Sequence, residues 1–227
     1  MITINDISIS YERQIIDSLS LSLPDNNIHG IVGLNGAGKT TLLNTIFGLK
    51  KPDSGSILFD GIKLSKKEIS YMTTENFFYM GITGEEYLNL FKNEKFELNQ
   101  WNKLFSLPLN QTISKYSTGM KKRLALMGIL KQNKPIMIFD EPFNGLDIEA
   151  CRIIRSILLG LKEQGKTIII TSHIIETLTN LCDYIHYLEN GKIKYSKIRT
   201  EFDDFQKELF ENIEQKNNKL INYILKN

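Results

Sequence analysis

The sequence predicts an α/β protein: a parallel sheet flanked by helices, with an N-terminal antiparallel β region and a helical insert. Three patterns in the 227 residues predict it. In the second half, short continuous apolar runs alternate with helix-spaced patterns, as strands covered on both faces require. The N-terminal segments alternate apolar and polar residues, the period of half-buried strands. Between these parts, residues 84–131 carry a helical pattern throughout.

The elements follow in order. Residues 2–9 (ITINDISI) and 19–23 (LSLSL) are alternating strands, and 28–33 (IHGIVG) is a short apolar strand. That strand runs into glycines and then a helix bearing Leu42, Leu43, Ile46 and Phe47. GLKKPDSGS (48–56) is a turn by composition, and 56–59 and 69–72 are strands. The insert places Tyr87, Leu88 and Phe91, then Trp101, Leu104 and Phe105, then Met120, Leu124, Met127 and Leu130 at helical spacing. PIMIFD (135–140) is a strand. A helix over 147–163 carries Ala150, Ile154, Ile157, Leu158 and Leu161 on one face, with Gly165 placed to end it. TIIIT (167–171) is a strand, 174–181 a helix, and 184–196 a hairpin around Asn190-Gly191.

At roughly 150 residues per domain, the length allows one large domain with a small appendage. The division predicted is 1–196 as the main domain, its helical subdomain at about 84–131, and 197–227 as a C-terminal amphipathic tail. A hydrophobic share of 41% and a charged share of 24% exclude disorder as the dominant state. The net charge of +2 offers no whole-chain electrostatic case for nucleic acid or an anionic membrane. Cys151 and Cys182 form no CxxC and read as buried small hydrophobes in a reducing compartment. The N-terminus has no basic start followed by an apolar core, so it does not read as a secretory signal. No apolar run reaches the ~18 residues that span a bilayer. A role at a membrane would therefore require docking on another chain.

Gly33-Leu34-Asn35-Gly36-Ala37-Gly38-Lys39-Thr40 fits G-x-x-x-x-G-K-[ST], between a strand and a helix, with Thr41 following. Glycines let the backbone turn tightly and bring N–H groups close to phosphate oxygens. The following helix points its positive end at the same anion. Lys39 supplies a point charge, and the Thr40 hydroxyl is a Mg²⁺ ligand. The segment predicts a nucleoside triphosphate with Mg²⁺ on the parallel sheet of a P-loop NTPase. A second signal is Ile136-Met137-Ile138-Phe139-Asp140-Glu141, an apolar strand ending in two acids. Asp140 is placed to hold a Mg²⁺-bound water. Glu141, pointing elsewhere, is placed to take a proton from an attacking water.

These residues resemble the ATP-binding cassette (ABC) ATPases, over about residues 1–195. GLNGAGKTT (33–41) resembles the family's Walker A, and IMIFDEP (136–142) its Walker B with the catalytic Glu. Tyr116-Ser117-Thr118-Gly119-Met120 followed by KKRLAL resembles the signature motif, Asn144-Gly145-Leu146-Asp147 the D-loop, and Thr171-Ser172-His173 the switch histidine. Tyr11 sits where the family places an aromatic under adenine.

The resemblance implies an ATPase that forms a head-to-tail dimer, homodimeric or heterodimeric with a second ABC ATPase, around two ATP molecules and Mg²⁺. One subunit supplies the P-loop with Lys39, Asp140, Glu141 and His173; the other supplies Ser117, Thr118, Gly119, Met120 and Asp147 in trans. It also implies a separately encoded integral membrane permease, a location on the cytoplasmic face of the cell membrane, and no nucleic-acid partner. The alternatives are a soluble ABC ATPase acting on ribosomes or nucleic acid, and a P-loop GTPase or small-molecule kinase. The second lacks any Asn-Lys-x-Asp motif here.

Two departures from the family stand out. Where it carries Gln beside the metal, this chain has Thr74, with Glu75 one residue on as the alternative. The signature reads Y-S-T-G-M, a form that resembles the branch exporting drugs and antimicrobial peptides. His29 and His186 match no motif and read as structural; Met120, Met127 and Met137 read as core. Lys121, Lys122 and Arg123 read as a solvated face or a supplement to the phosphate field. In the tail, a start at Thr200 and Asp203 leads an amphipathic helix with Phe202, Phe205, Leu209, Ile213, Leu220 and Ile224 recurring at helical spacing. Acids cluster early in it, and Lys216, Lys219 and Lys226 late. Two readings stay open for that helix: packing on its own domain, or docking on another subunit.

Overall fold

The computed structural model describes residues 1–211. Its centre is a six-stranded sheet: β3 (Ile28–Val32), β6 (Ile69–Met72), β7 (Ile136–Phe139), β8 (Thr167–Ser172), β9 (Tyr184–Glu189) and β10 (Lys192–Ile198). The order is β10-β9-β3-β8-β7-β6. All pairings are parallel except the β9–β10 hairpin at the edge, which turns at Asn190-Gly191 as expected. A second, antiparallel sheet runs in the order β2-β1-β4-β5, with β1 (Ile2–Ser10), β2 (Gln14–Leu23), β4 (Ser54–Phe59) and β5 (Ile62–Lys63).

Side chains alternate across a strand, so each central strand serves two cores. Ile136 and Ile138 enter a core shared with the antiparallel sheet, whereas Met137 and Phe139 enter the core under the helices. Ile169 faces the first core and Ile168 and Ile170 the second. Helix α1 (Lys39–Phe47) lies between the sheets, with Leu42, Leu43 and Ile46 buried there. A sheet buried on both faces explains why these strands read as continuous apolar runs.

The antiparallel strands depart from strict alternation. Ile2, Ile4, Ile7, Ile9, Ile16 and Leu19 are all buried, but the phase slips between Ile4 and Ile7 and again between Ile16 and Leu19. Asp6 and Ser18 absorb the slips in left-handed conformations, φ 48° each. These bulges let both apolar sets face one core. The first slip lies inside the expected strand 2–9; the second sits in β2, which begins earlier than the expected 19–23.

The insert is not continuous helix. It comprises α2 (Gly84–Asn89), α3 (Leu98–Phe105) and α4 (Thr118–Gln132), with a 3-10 turn at Ile113–Lys115. Thr83 and Glu86 form a reciprocal capping box that starts α2. Helix α4 touches both α2 and β6. It is therefore buried nearly all round from Leu124 to Lys131. Helices α5 (Ile148–Glu163) and α6 (Ile175–Thr179) complete that layer, and the left-handed Gly165 ends the α5 segment.

Residues 202–211 are helical, and Phe202, Phe205 and Leu209 join the core under the helices. The cap of this segment differs from the expected Thr200–Asp203 pair: the Glu201 carboxylate accepts from the Ile198 N–H at 3.1 Å. Ile213, Lys216, Lys219, Leu220, Ile224 and Lys226 lie outside the described residues. His29 and His186 are buried against each other, Nδ1 to Nε2 3.3 Å, and Met127 and Met137 are core, as read from the sequence.

Candidate functional site

The strand β3 ends in the loop 33–38, which turns into α1. Gly33 has no room for a side chain: a Cβ there would stand 2.4 Å from the Leu188 carbonyl oxygen. Gly36 and Gly38 hold φ +81° and +105°, where glycine has no Cβ penalty. The Ala37 N–H closes the turn on the Leu34 carbonyl at 3.1 Å. Lys39 curls over this loop, its Nζ donating to the carbonyls of Gly33 (2.7 Å) and Leu34 (3.3 Å). Burial pulls the Lys39 ammonium below its usual pKa, and the carboxylates of Glu141 and Asp140 oppose that shift.

The two acids meet the loop from β7. Thr40 Oγ1 donates to Asp140 Oδ2 at 2.8 Å, and Thr171 Oγ1, on β8, donates to Asp140 Oδ1 at 2.6 Å. The same Thr171 oxygen accepts from the Glu141 N–H at 3.0 Å. Glu141 sits at φ +52°, a strained conformation for a residue with a side chain. Its carboxylate meets His173, whose Nδ1 stands 2.9 Å from Oε2. Parallel neighbours β7 and β8 thus present Asp140, Glu141, Thr171 and His173 together at their carboxyl ends.

A cavity of about 510 Å³ opens over these groups, also lined by Arg13, Ile15, Asn35, Thr41, Thr74 and Asn144. Thr74 lines it and Glu75 does not. The Thr40 hydroxyl and the Asp140 carboxylate converge as oxygen donors, which suits a hard divalent cation. No group of three or more His, Cys, Asp or Glu side chains gathers as a metal cluster among the described residues. Mg²⁺ takes one or two protein oxygens and fills its shell with phosphate and water, which the Thr40–Asp140 pair would suit. The site can therefore hold a polyanion with Mg²⁺ and place a carboxylate beside an attacking water. A larger cavity, about 780 Å³, lies between α3 and α5 among Phe96, Trp101, Leu104, Ile153 and Ile157. Lys95 and Arg152 also line it, but it has neither the glycine loop nor the acid pair.

Tyr11 is 59% exposed, outside the cavity lining, with Lys50 Nζ 5.0 Å from its ring centroid. Ser117 caps α4, its Oγ accepting from the Met120 N–H at 3.2 Å. Thr118 opens α4, Gly119 follows half-buried, where a Cβ would stand 3.8 Å from the Leu146 side chain, and Met120 packs on the core. Asp147 caps α5, accepting from the Ala150 N–H at 2.7 Å. Neither Asp147 nor any of 117–120 lines the cavity of this chain.

Lys122 overturns its expected place on a solvated face. It is 7% exposed, and its Nζ donates to the carbonyls of Glu141 (3.2 Å) and Asn144. The cause is the burial of α4 on the insert and sheet, which turns this position inward. Arg123 is drawn in likewise and donates to the Phe105 carbonyl at 3.0 Å. The bridging part of Thr171 and the lining by Arg13, Ile15 and Asn144 also escaped sequence reasoning. Thr171 had a usable signal: a hydroxyl at the carboxyl end of the strand beside the acids.

A family model described as "ABC transporter" matches residues 16–144. The chain is 31% identical to the putative ABC transporter ATP-binding protein AlbC of Bacillus subtilis (strain 168), covering 93% of this chain and 97% of that protein. It is 30% identical to the lantibiotic transport ATP-binding protein SrtF of Streptococcus pyogenes, covering 93% and 96%. A solved structure of an ATP-binding subunit of an ABC transporter superposes with TM-score 0.82 at 26% identity, covering 92% of this chain and 93% of that one. A dimeric bacterial ABC transporter cassette shares the fold at TM-score 0.79 and 23% identity, covering 88% and 99%.

Proposed function

Because this chain belongs to the ABC transporter family as an ATP-binding ATPase, we propose that it powers a separately encoded membrane permease that exports a drug, antimicrobial peptide or similar amphipathic substrate. It would work as a peripheral subunit on the cytoplasmic face. The likeness to SrtF supports the export branch. No helix among the described residues is long and apolar enough to cross a membrane, in keeping with a permease on another chain. We assign residues 1–196 to the ATPase domain, with its helical subdomain at about 84–131, and 197–227 to an appended tail.

The observation that carries the reading is the bonded set Thr40–Asp140–Thr171–Glu141–His173 over the glycine loop. The loop N–H groups of 35–38, with Thr41, hold the phosphates, and Lys39 swings from its loop carbonyls to the outer phosphate. Thr40 and Asp140 would hold Mg²⁺, which would neutralise charge on the transferring phosphate. Glu141 takes the proton from the attacking water, and His173 orients that carboxylate and contacts the γ-phosphate. Thr74, which lines the same cavity, would act on the metal only through water. Tyr11, exposed just before the cavity-lining Arg13 and Ile15, offers its ring to adenine.

The signature segment, with Ser117 and Thr118 exposed at the start of α4, stands apart from this cavity. A second copy brings it there: Ser117, Thr118, Gly119, Met120 and Asp147 of one copy complete the pocket of the other. The α4 N-terminus offers N–H groups and a hydroxyl to the γ-phosphate across the interface. Hydrolysis removes the charge those donors hold, and the pair opens.

The test is Glu141→Gln. We expect ATP turnover to fall by about 10²–10⁴-fold with ATP binding retained. Turnover at the normal rate would remove Glu141 as the base.

A further inference from the structure

We propose that Lys122 is a positioning residue for Glu141 and that it ties this acid to the signature helix, so that the nucleotide held by one copy sets the competence of the other copy's site. The inference rests on Glu141 being the base.

Glu141 occupies a backbone conformation that its side chain disfavours, φ +52°. Such strain persists only where the surroundings hold it. Three groups do so. Thr171 Oγ1 takes the Glu141 N–H, His173 Nδ1 meets the carboxylate, and Lys122 Nζ takes the carbonyl at 3.2 Å. Of these, Thr171 and His173 come from β8 and its end. Lys122 comes from α4, a helix of the insert, and spans from one part of the fold to the other.

Lys122 also takes the Asn144 carbonyl, so it grips both ends of the turn 141–144. That turn leads directly into Gly145-Leu146-Asp147 and α5. A buried ammonium is costly unless hydrogen-bonded. Here burial pulls the Lys122 ammonium below its usual pKa, the nearby Glu141 charge opposes that shift, and two carbonyls accept its hydrogens. Packing alone would be served better by an apolar side chain.

The neighbouring residue completes the linkage. Arg123 donates to the Phe105 carbonyl at the end of α3. Consecutive cations thus fasten α4 to the catalytic turn on one side and to the rest of the insert on the other. The N-terminus of α4, with Ser117 and Thr118 exposed and Gly119 half-buried, faces the partner's phosphates in the dimer proposed above. A shift of α4 on nucleotide contact therefore moves the Glu141 carbonyl through one side chain. Because α4 serves the partner's nucleotide and Glu141 its own, Lys122 joins the two sites.

The experiment compares Lys122→Met with wild type and with Lys122→Arg in the full chain, with ATP and Mg²⁺. Readouts are ATP affinity by equilibrium binding, kcat, KM, the Hill coefficient for turnover and the melting temperature. We expect Lys122→Met to lower kcat by about 10–100-fold, the worth of a charge-assisted hydrogen bond. ATP affinity should stay within a few-fold, and a wild-type Hill coefficient above 1 should fall toward 1. Lys122→Arg should recover most of kcat. If Lys122→Met does not fold, Lys122→Gln, which keeps a neutral amide donor group, should show the same split to a lesser degree. A kcat within twofold of wild type, a Hill coefficient unchanged by the substitution, or a wild-type coefficient of 1 overturns the proposal. Glu141→Gln run alongside separates the two readings. If it is inactive while Lys122→Met is normal, only the linkage falls; if it turns over normally, the base assignment falls.

Discussion

Replacing Thr171 by Val removes one oxygen from a site that uses it twice. Thr171 is fully buried and valine fills the same volume, so no cavity opens. Two hydrogen bonds disappear: the one to Asp140 Oδ1 at 2.6 Å and the one from the Glu141 N–H at 3.0 Å. The first involves a carboxylate that is itself 1% exposed, and such bonds are worth about 1.5–3 kcal/mol. The second leaves an amide without its partner, at about 1–3 kcal/mol. The two losses share one oxygen and do not add fully. We therefore expect Thr171→Val to lose about 2–4 kcal/mol of stability, enough to shift the urea midpoint clearly but not to unfold a domain of ordinary stability of about 5–15 kcal/mol. Thr171→Ser, which keeps the hydroxyl and drops a methyl, should lose about 1 kcal/mol. ATP turnover should fall in the Val variant and persist in the Ser variant. A Val variant less destabilised than the Ser variant would refute the reasoning, because it would mean that Asp140 and Glu141 are held by something other than this hydroxyl.

Acid should weaken the fold through the buried imidazole pair. Burial, with His29 next to it, lowers the pKa of His186 to about 3, and burial also lowers that of His29. A histidine held neutral in the fold contributes stability above its unfolded pKa near 6.5, and that stability is lost as pH falls. We expect a loss of about 2 kcal/mol between pH 6.5 and 5 from His186 alone, seen in chemical denaturation. His186→Gln should flatten that slope, and an equally steep slope in the variant would contradict the assignment. Thr74→Gln, which extends an amide into the cavity, should leave ATP affinity within a few-fold by equilibrium binding. A large loss of affinity would show that Thr74 is misplaced as the residue beside the metal.

Much of the fold was legible because its central parallel strands are buried on both faces and α5 on one. The runs 136–139 and 167–172 show as apolar blocks, and the α5 stripe repeats at helical spacing. The bulges at Asp6 and Ser18 were not legible, since a slipped phase looks like ordinary alternation until both strands are paired. The breaks in the insert were missed for a related reason: apolar residues of α2, α3 and α4 share one core, so their spacing runs on across the turns. The phosphate loop and the acid pair were legible because their residue types are fixed by the chemistry. Lys122 was not. A lysine on a helix reads as solvated unless the surface that covers it is known, and the turn that covers it here lies far along the chain. Thr171 stood inside a quoted motif, yet only the pairing of β7 with β8 puts its oxygen between Asp140 and Glu141.

Turnover by the proposed mechanism requires two copies closing around nucleotide, since Ser117, Gly119 and Asp147 stand outside the cavity that their own chain forms. The direct measurement is the solution mass of Glu141→Gln with saturating ATP and Mg²⁺, by light scattering. A mass of two chains with ATP, reverting to one chain with ADP, is what the account predicts. A single-chain mass in both conditions, with ATP shown to be bound and the permease restored, would contradict it.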